Sequence, residues 1–191
     1  MLSPLELIGT IIGIAYVLLE YRANMWLWVA GFVMDVCYCI IYFQSHYYAN
    51  TGLYLYYMVC CVIGGLMWLR NRKKAQEEQS DADGVKSMPL WGWIPVTIVS
   101  ALLTWLLWFV LLQMGESENA FFDGLTAALS CVGMVLMTKK YYQQWIFWII
   151  TNPMYIIFMI KAQMYGLAVM YGFYTVISVM GYLRWRRLSV K

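Results

Sequence analysis

Seven apolar runs follow one another along this chain, at about 5–20, 25–43, 51–69, 90–113, 123–138, 144–160 and 166–183, and most of the charge falls in the breaks between them. Most approach the roughly 20 residues that cross the hydrocarbon core of a bilayer. That feature restricts the fold more than any other. Backbone inside lipid must pair its own N–H and C=O groups, which leaves helices and closed barrels. Continuous apolar runs of this length, without strict alternation, argue for helices. Only 12% of the 191 residues are charged and 63% are hydrophobic, whereas a soluble domain carries about 25% charge. The chain is therefore predicted to be an all-α membrane protein, a single transmembrane domain over 1–191. The first run contains Glu6 and has neither a basic start nor a small-residue cleavage site. It is expected to stay as a helix and not to act as a signal peptide.

Lysine and arginine placement sets the expected orientation. With seven spans, one side collects Arg22, then Arg70, Arg72, Lys73, Lys74 and Lys86, then Lys139 and Lys140, then Arg184, Arg186, Arg187 and Lys191, twelve of the thirteen basic residues. The other side holds Lys161 and the acidic loop with Glu116 and Glu118. The C-terminus is expected in the cytoplasm and the N-terminus outside. A net charge of +3 gives no reason to expect a nucleic-acid partner.

The chain also resembles itself. Gly13 precedes Trp28 by 15 residues, and Gly133 precedes Trp148 by the same interval. Gly52 and Gly172 keep the offset of 120, while Gly64/Trp68 and Gly181/Trp185 share a GxxxW spacing at an offset of 117. These matches predict two three-helix repeats, 6–72 and 123–187, joined by a linker helix at 90–113. Three spans plus one return the second repeat to the starting side, so the repeats are expected to be parallel.

Polar groups within the runs are candidates for function. Asp35 sits near the middle of "WLWVAGFVMDVCYCIIYF". It reads as a cavity carboxylate, or as a structural hydrogen bond or a carboxyl kept neutral by burial. In "QQWIFWIITNP", Trp145, Trp148 and Asn152 lie at i, i+3 and i+7 and share one helical face. Pro153 follows, which frees the Ile149 carbonyl and is expected to kink the helix. Trp145 also suits a headgroup anchor, and Asn152 a packing amide. The tyrosines inside the runs are expected mostly to pack. All five cysteines lie in apolar runs and read as small buried hydrophobes, not metal ligands. No nucleophile elbow, HExxH or phosphate-cradling glycine loop occurs, so neither an enzyme nor a cofactor is expected. Aromatic walls with a carboxylate and an amide suit a flat cationic solute, each cation–π contact contributing about 0.5–2 kcal/mol.

The pattern Trp145-x-x-Trp148-x-x-x-Asn152 resembles the signature of the PnuC family of vitamin transporters. "ELIGTIIGIAYVLLEYRANMWLWVAGF" and "DGLTAALSCVGMVLMTKKYYQQW" are similar to the same family. The resemblance implies a SWEET-like 3+1+3 fold in the bacterial inner membrane, downhill uptake of nicotinamide riboside, and trapping of the product by a cytoplasmic kinase. It also makes Trp145, Trp148 and Asn152 substrate-binding candidates and allows a homo-oligomer. Tyr54, in "GLYLYY", stands near the place of a third-helix glutamine in nicotinamide riboside members. That departure raises thiamine as an alternative, with riboflavin behind it. A non-transporting scaffold working through the basic loop, and an ion-coupled carrier using Asp35, complete the field.

Overall fold

The computed structural model describes residues 4–44, 46, 48–78, 84–115, 119–161 and 165–189, without the side chains of 4–7, 9, 10, 49, 78 and 167. The side chain of Glu6, and Glu116, Glu118 and Lys191, lie outside that description. Seven α-helices account for nearly all of it: α1 Pro4–Tyr21, α2 Leu27–Gln44, α3 Tyr48–Glu78, α4 Trp93–Met114, α5 Ala120–Thr138, α6 Gln144–Lys161 and α7 Tyr165–Ser189. A single 3-10 turn, Leu90–Gly92, precedes α4. Among the described residues the one extended pairing is an isolated bridge between Lys86 and Tyr141.

Among the described residues, four segments are long and apolar enough to cross a membrane: Leu27–Gln44, Asn50–Glu77, Leu90–Met114 and Ala120–Thr138. This is fewer than the seven runs of the sequence reading. Polar residues explain part of the difference, because α6 carries Gln144, Asn152, Pro153 and Lys161 within 18 residues. Helix α3 reaches 31 residues. It continues past the apolar run through "RNRKKAQEE", which holds no glycine or proline and several strong helix formers. Helix α6 runs unbroken through Pro153.

The chain forms two units, Met1–Gly84 and Val85–Lys191. Within the first, α1 packs on α2 and α2 on α3; within the second, α4 packs on α5, α5 on α6 and α6 on α7. Contacts in the first unit recur in the second, 117 positions later. Trp28 meets Trp68 edge-on at 5.3 Å and 90°, and Trp145 meets Trp185 at 5.7 Å and 86°. Tyr38 stacks on Tyr54 at 5.3 Å, and Tyr155 on Tyr171 at 5.0 Å.

The turns agree as well. Ala23 and Lys140 adopt left-handed φ values of 51° and 58°. Each closes its helix with the same pair of bonds, Ala23 N–H to Glu20 and Asn24 N–H to Leu19, then Lys140 N–H to Met137 and Tyr141 N–H to Leu136. This is the Schellman arrangement, built on residues that pay a steric penalty for it. The register corrects the sequence alignment. Trp28 corresponds to Trp145, not to Trp148, because like residues had been matched in place of like contacts.

Candidate functional site

The site residues on α6 fall at three levels. Trp145 is fully buried. Its indole lies edge-on to Trp185 and over Gly181, where an added Cβ would come within 2.6 Å of the ring. Its Nε1 has no hydrogen-bond partner among the described residues, and neither has that of Trp28, its counterpart in the first unit. The same wedge in both units marks Trp145 as a packing element between α6 and α7.

Trp148, one turn on, is half-buried. Its Nε1–H donates to Oε1 of Gln144, four residues earlier on the same helix. Gln144 is fully buried, so the indole is oriented from beneath. Gly133 of α5 leaves room beside the ring: a Cβ there would lie 3.7 Å from Trp148 and 3.1 Å from Phe147.

Asn152, a further turn on, is buried and donates from Nδ2 to Oγ of Ser178 on α7 at 3.2 Å. Ser178 in turn donates to the Tyr174 carbonyl at 2.7 Å. Tyr155 lies one turn beyond Asn152 and stacks on Tyr171.

Asp35 and Tyr54 belong to the first unit. Asp35 is 1% exposed and accepts from the Cys61 thiol at 3.5 Å. In the 117 register Asp35 stands for Asn152 and Cys61 for Ser178, so each unit carries one polar pair at the same place. Cys61 thereby departs from the bland reading given to the cysteines. Tyr54 stacks on both Tyr38 and Tyr42, each at 5.3 Å. Tyr38 and Tyr42 follow Asp35 at i+3 and i+7, on one face of α2.

Reasoning from sequence missed Gln144, Ser178 and Cys61. Gln144 had a local signal, its i, i+4 spacing to Trp148. Ser178 had none, since its partner is 26 positions away. The second unit holds a further polar element near this helix. Gln143 binds the main chain of Met88 through both ends of its amide, at 3.0 and 3.2 Å. Met88 itself packs into an apolar cluster with Val132, Leu136 and Phe147.

The site is thus a half-buried aromatic face beside an oriented amide, with no group of metal-ligating side chains among the described residues. The chain is 28% identical to the nicotinamide riboside transporter PnuC of Haemophilus influenzae, over 97% of its own length and 80% of the relative's. It is 25% identical to PnuC of Escherichia coli, over 96% and 85%. Identity to PnuC of Neisseria mucosa is also 25%, over 97% and 73%. A crystal structure of the vitamin B3 transporter PnuC superposes with a TM-score of 0.77 at 23% identity, covering 96% of this chain and 80% of that one, and establishes a shared fold. The match to the nicotinamide mononucleotide transporter family extends over residues 3–187. The chain is a multi-pass membrane protein that belongs to this family, a family of transporters and not of enzymes.

Proposed function

We propose that this protein carries nicotinamide riboside, a flat pyridinium bearing a carboxamide, across the bacterial inner membrane. The observation that carries the reading is the Trp148 ring set one turn before the Ser178-held amide of Asn152 on α6. The ring offers a π-face to the pyridinium, and the amide offers hydrogen bonding to the carboxamide. The names of the relatives support the same substrate. Trp145, one turn before Trp148, wedges α6 against α7. Within the first unit, Asp35 and Tyr54 are the candidate solute-binding groups, a carboxyl and an aromatic ring.

All seven helices span the bilayer in this reading. Two parallel repeats, 6–72 and 123–187, flank a linker at 90–113 in a SWEET-like arrangement. The recurrence of contacts at 117 positions supports the repeats. The basic loops face the cytoplasm and the N-terminus lies outside. The transport cycle is one of alternating access. Transport runs downhill, and phosphorylation by a cytoplasmic kinase holds the product inside.

The test is calorimetry on the purified protein with nicotinamide riboside and thiamine side by side. Heat is expected with nicotinamide riboside, and its loss in folded Trp148→Ala and Asn152→Ala. Heat with thiamine alone would transfer the assignment to thiamine. Undiminished binding by both variants would refute the site.

A further inference from the structure

The polar pair on α6 and α7 has a direction. A carbonyl oxygen carries no hydrogen, so the 2.7 Å contact between Ser178 Oγ and the Tyr174 carbonyl uses the only hydroxyl hydrogen that Ser178 has. Toward Asn152, Ser178 can then only accept. It does so from Nδ2 at 3.2 Å. A serine with a free hydrogen would bond equally well to either end of an amide. The helical carbonyl removes that choice, and with Nδ2 on Ser178 the Asn152 oxygen is turned away from it. That oxygen has no hydrogen-bond partner among the described residues, and it is not among the sealed polar atoms of the structure.

We propose that Ser178 is a positioning residue that locks the Asn152 amide with its oxygen free for the solute, and that this lock selects a ring bearing a hydrogen-bond donor, a carboxamide, over the same ring bearing a carboxylate. The inference rests on the reading that Asn152 meets the solute. An amide oxygen accepts from a carboxamide NH2 and repels a carboxylate, whereas an amide free to turn presents its own NH2 to the carboxylate. In the first unit the same place is held by Asp35, which takes a hydrogen bond from Cys61. Acceptor chemistry therefore recurs at the two equivalent positions.

The experiment measures binding of nicotinamide riboside and nicotinic acid riboside to the full-length protein in detergent. The wild type is expected to favour the amide by about tenfold or more, the order of one hydrogen bond to a solute. Ser178→Ala should shrink that preference by about tenfold, through weaker amide binding and stronger acid binding. Ser178→Thr, which keeps the hydroxyl, should restore it. Ser178→Cys, the residue of the first unit, has a weakly accepting sulfur and should shrink it less; it serves where the alanine variant does not fold. No wild-type preference, or a wild-type ratio in both the alanine and cysteine variants, would overturn the inference. Asn152→Ala separates the two levels. If it leaves nicotinamide riboside binding intact, the site reading fails and takes the inference with it. If it removes binding while Ser178→Ala keeps the ratio, the inference alone fails.

Discussion

Replacing Gly181 with alanine tests the wedge that both units share. A Cβ at this position would lie 2.6 Å from Cε2 and Cζ2 of Trp145, where carbon atoms prefer about 3.5–4.0 Å. The ring or the helix must therefore move by roughly 1 Å. The ring has nowhere to go, being fully buried and set edge-on against Trp185. Overpacking of this kind costs about 1–3 kcal/mol, which in a chain of this size lowers the unfolding midpoint by roughly 2–12 °C. Gly64→Ala should act alike, since its Cβ would come within 2.3 Å of Trp28. Gly52 and Gly172 have nothing within 4 Å of an added Cβ. Alanine there should hold or raise the midpoint, by helix propensity worth up to about 1 kcal/mol. Thermal unfolding of the purified protein in one detergent, followed by tryptophan fluorescence, compares all four. A double-mutant cycle sharpens the result: Gly181→Ala with Trp145→Phe should cost less than the two changes added. Equal midpoints for the four alanine variants, or strict additivity in the cycle, would refute the packing argument.

Two glutamines give further expectations. Gln144→Leu installs the residue found at the equivalent place in the first unit, Leu27, and removes the acceptor of the Trp148 indole. Nicotinamide riboside affinity should fall about two- to tenfold with the fold intact, and wild-type affinity would show that the indole needs no such anchor. Gln143→Ala deletes both bonds to the Met88 main chain. A cost of about 1–3 kcal/mol is expected, together with faster proteolysis near residues 84–88; an unchanged cleavage rate would show that other contacts suffice to hold the segment.

Hydropathy located every helix, because an apolar run near bilayer length has few alternatives. The helix ends were less legible. The polar extension of α3 is helical by propensity and invisible to hydropathy. The turns after α1 and α5 place Ala23 and Lys140 where glycine or asparagine usually signals a cap. The internal repeat was visible, but its register was not. Its polar members are Asp35 with Asn152 and Cys61 with Ser178, pairs related by position and hydrogen bonding but not by identity. Matching tryptophan to tryptophan led instead to an offset of 120. Of the signature residues, Trp148 and Asn152 keep the half-buried or hydrogen-bonded settings that a binding role needs. The full burial of Trp145 arises from Gly181 and Trp185, more than 30 positions away.

The places where the units differ carry more information than those where they agree. Trp148 in the second unit stands where the first has Gly31, and Gly133 stands where the first has Tyr16. A Cβ on Gly31 would lie 2.9 Å from the Tyr16 ring, just as one on Gly133 would lie beside Trp148. A large ring and a glycine have thus exchanged helices across one packed contact. Interiors tolerate such volume-conserving exchanges best, so the framework persists while the ring changes its carrier. On α6 the ring shares a face with the Asn152 amide. On α2 that face offers a glycine and the Asp35 carboxylate. The two units therefore keep one framework and differ in chemistry, with a ring and an amide on α6 and a glycine and a buried carboxyl on α2. The pairing in the second unit suits the solute proposed above, because a π-face meets the flat ring and an amide meets its carboxamide.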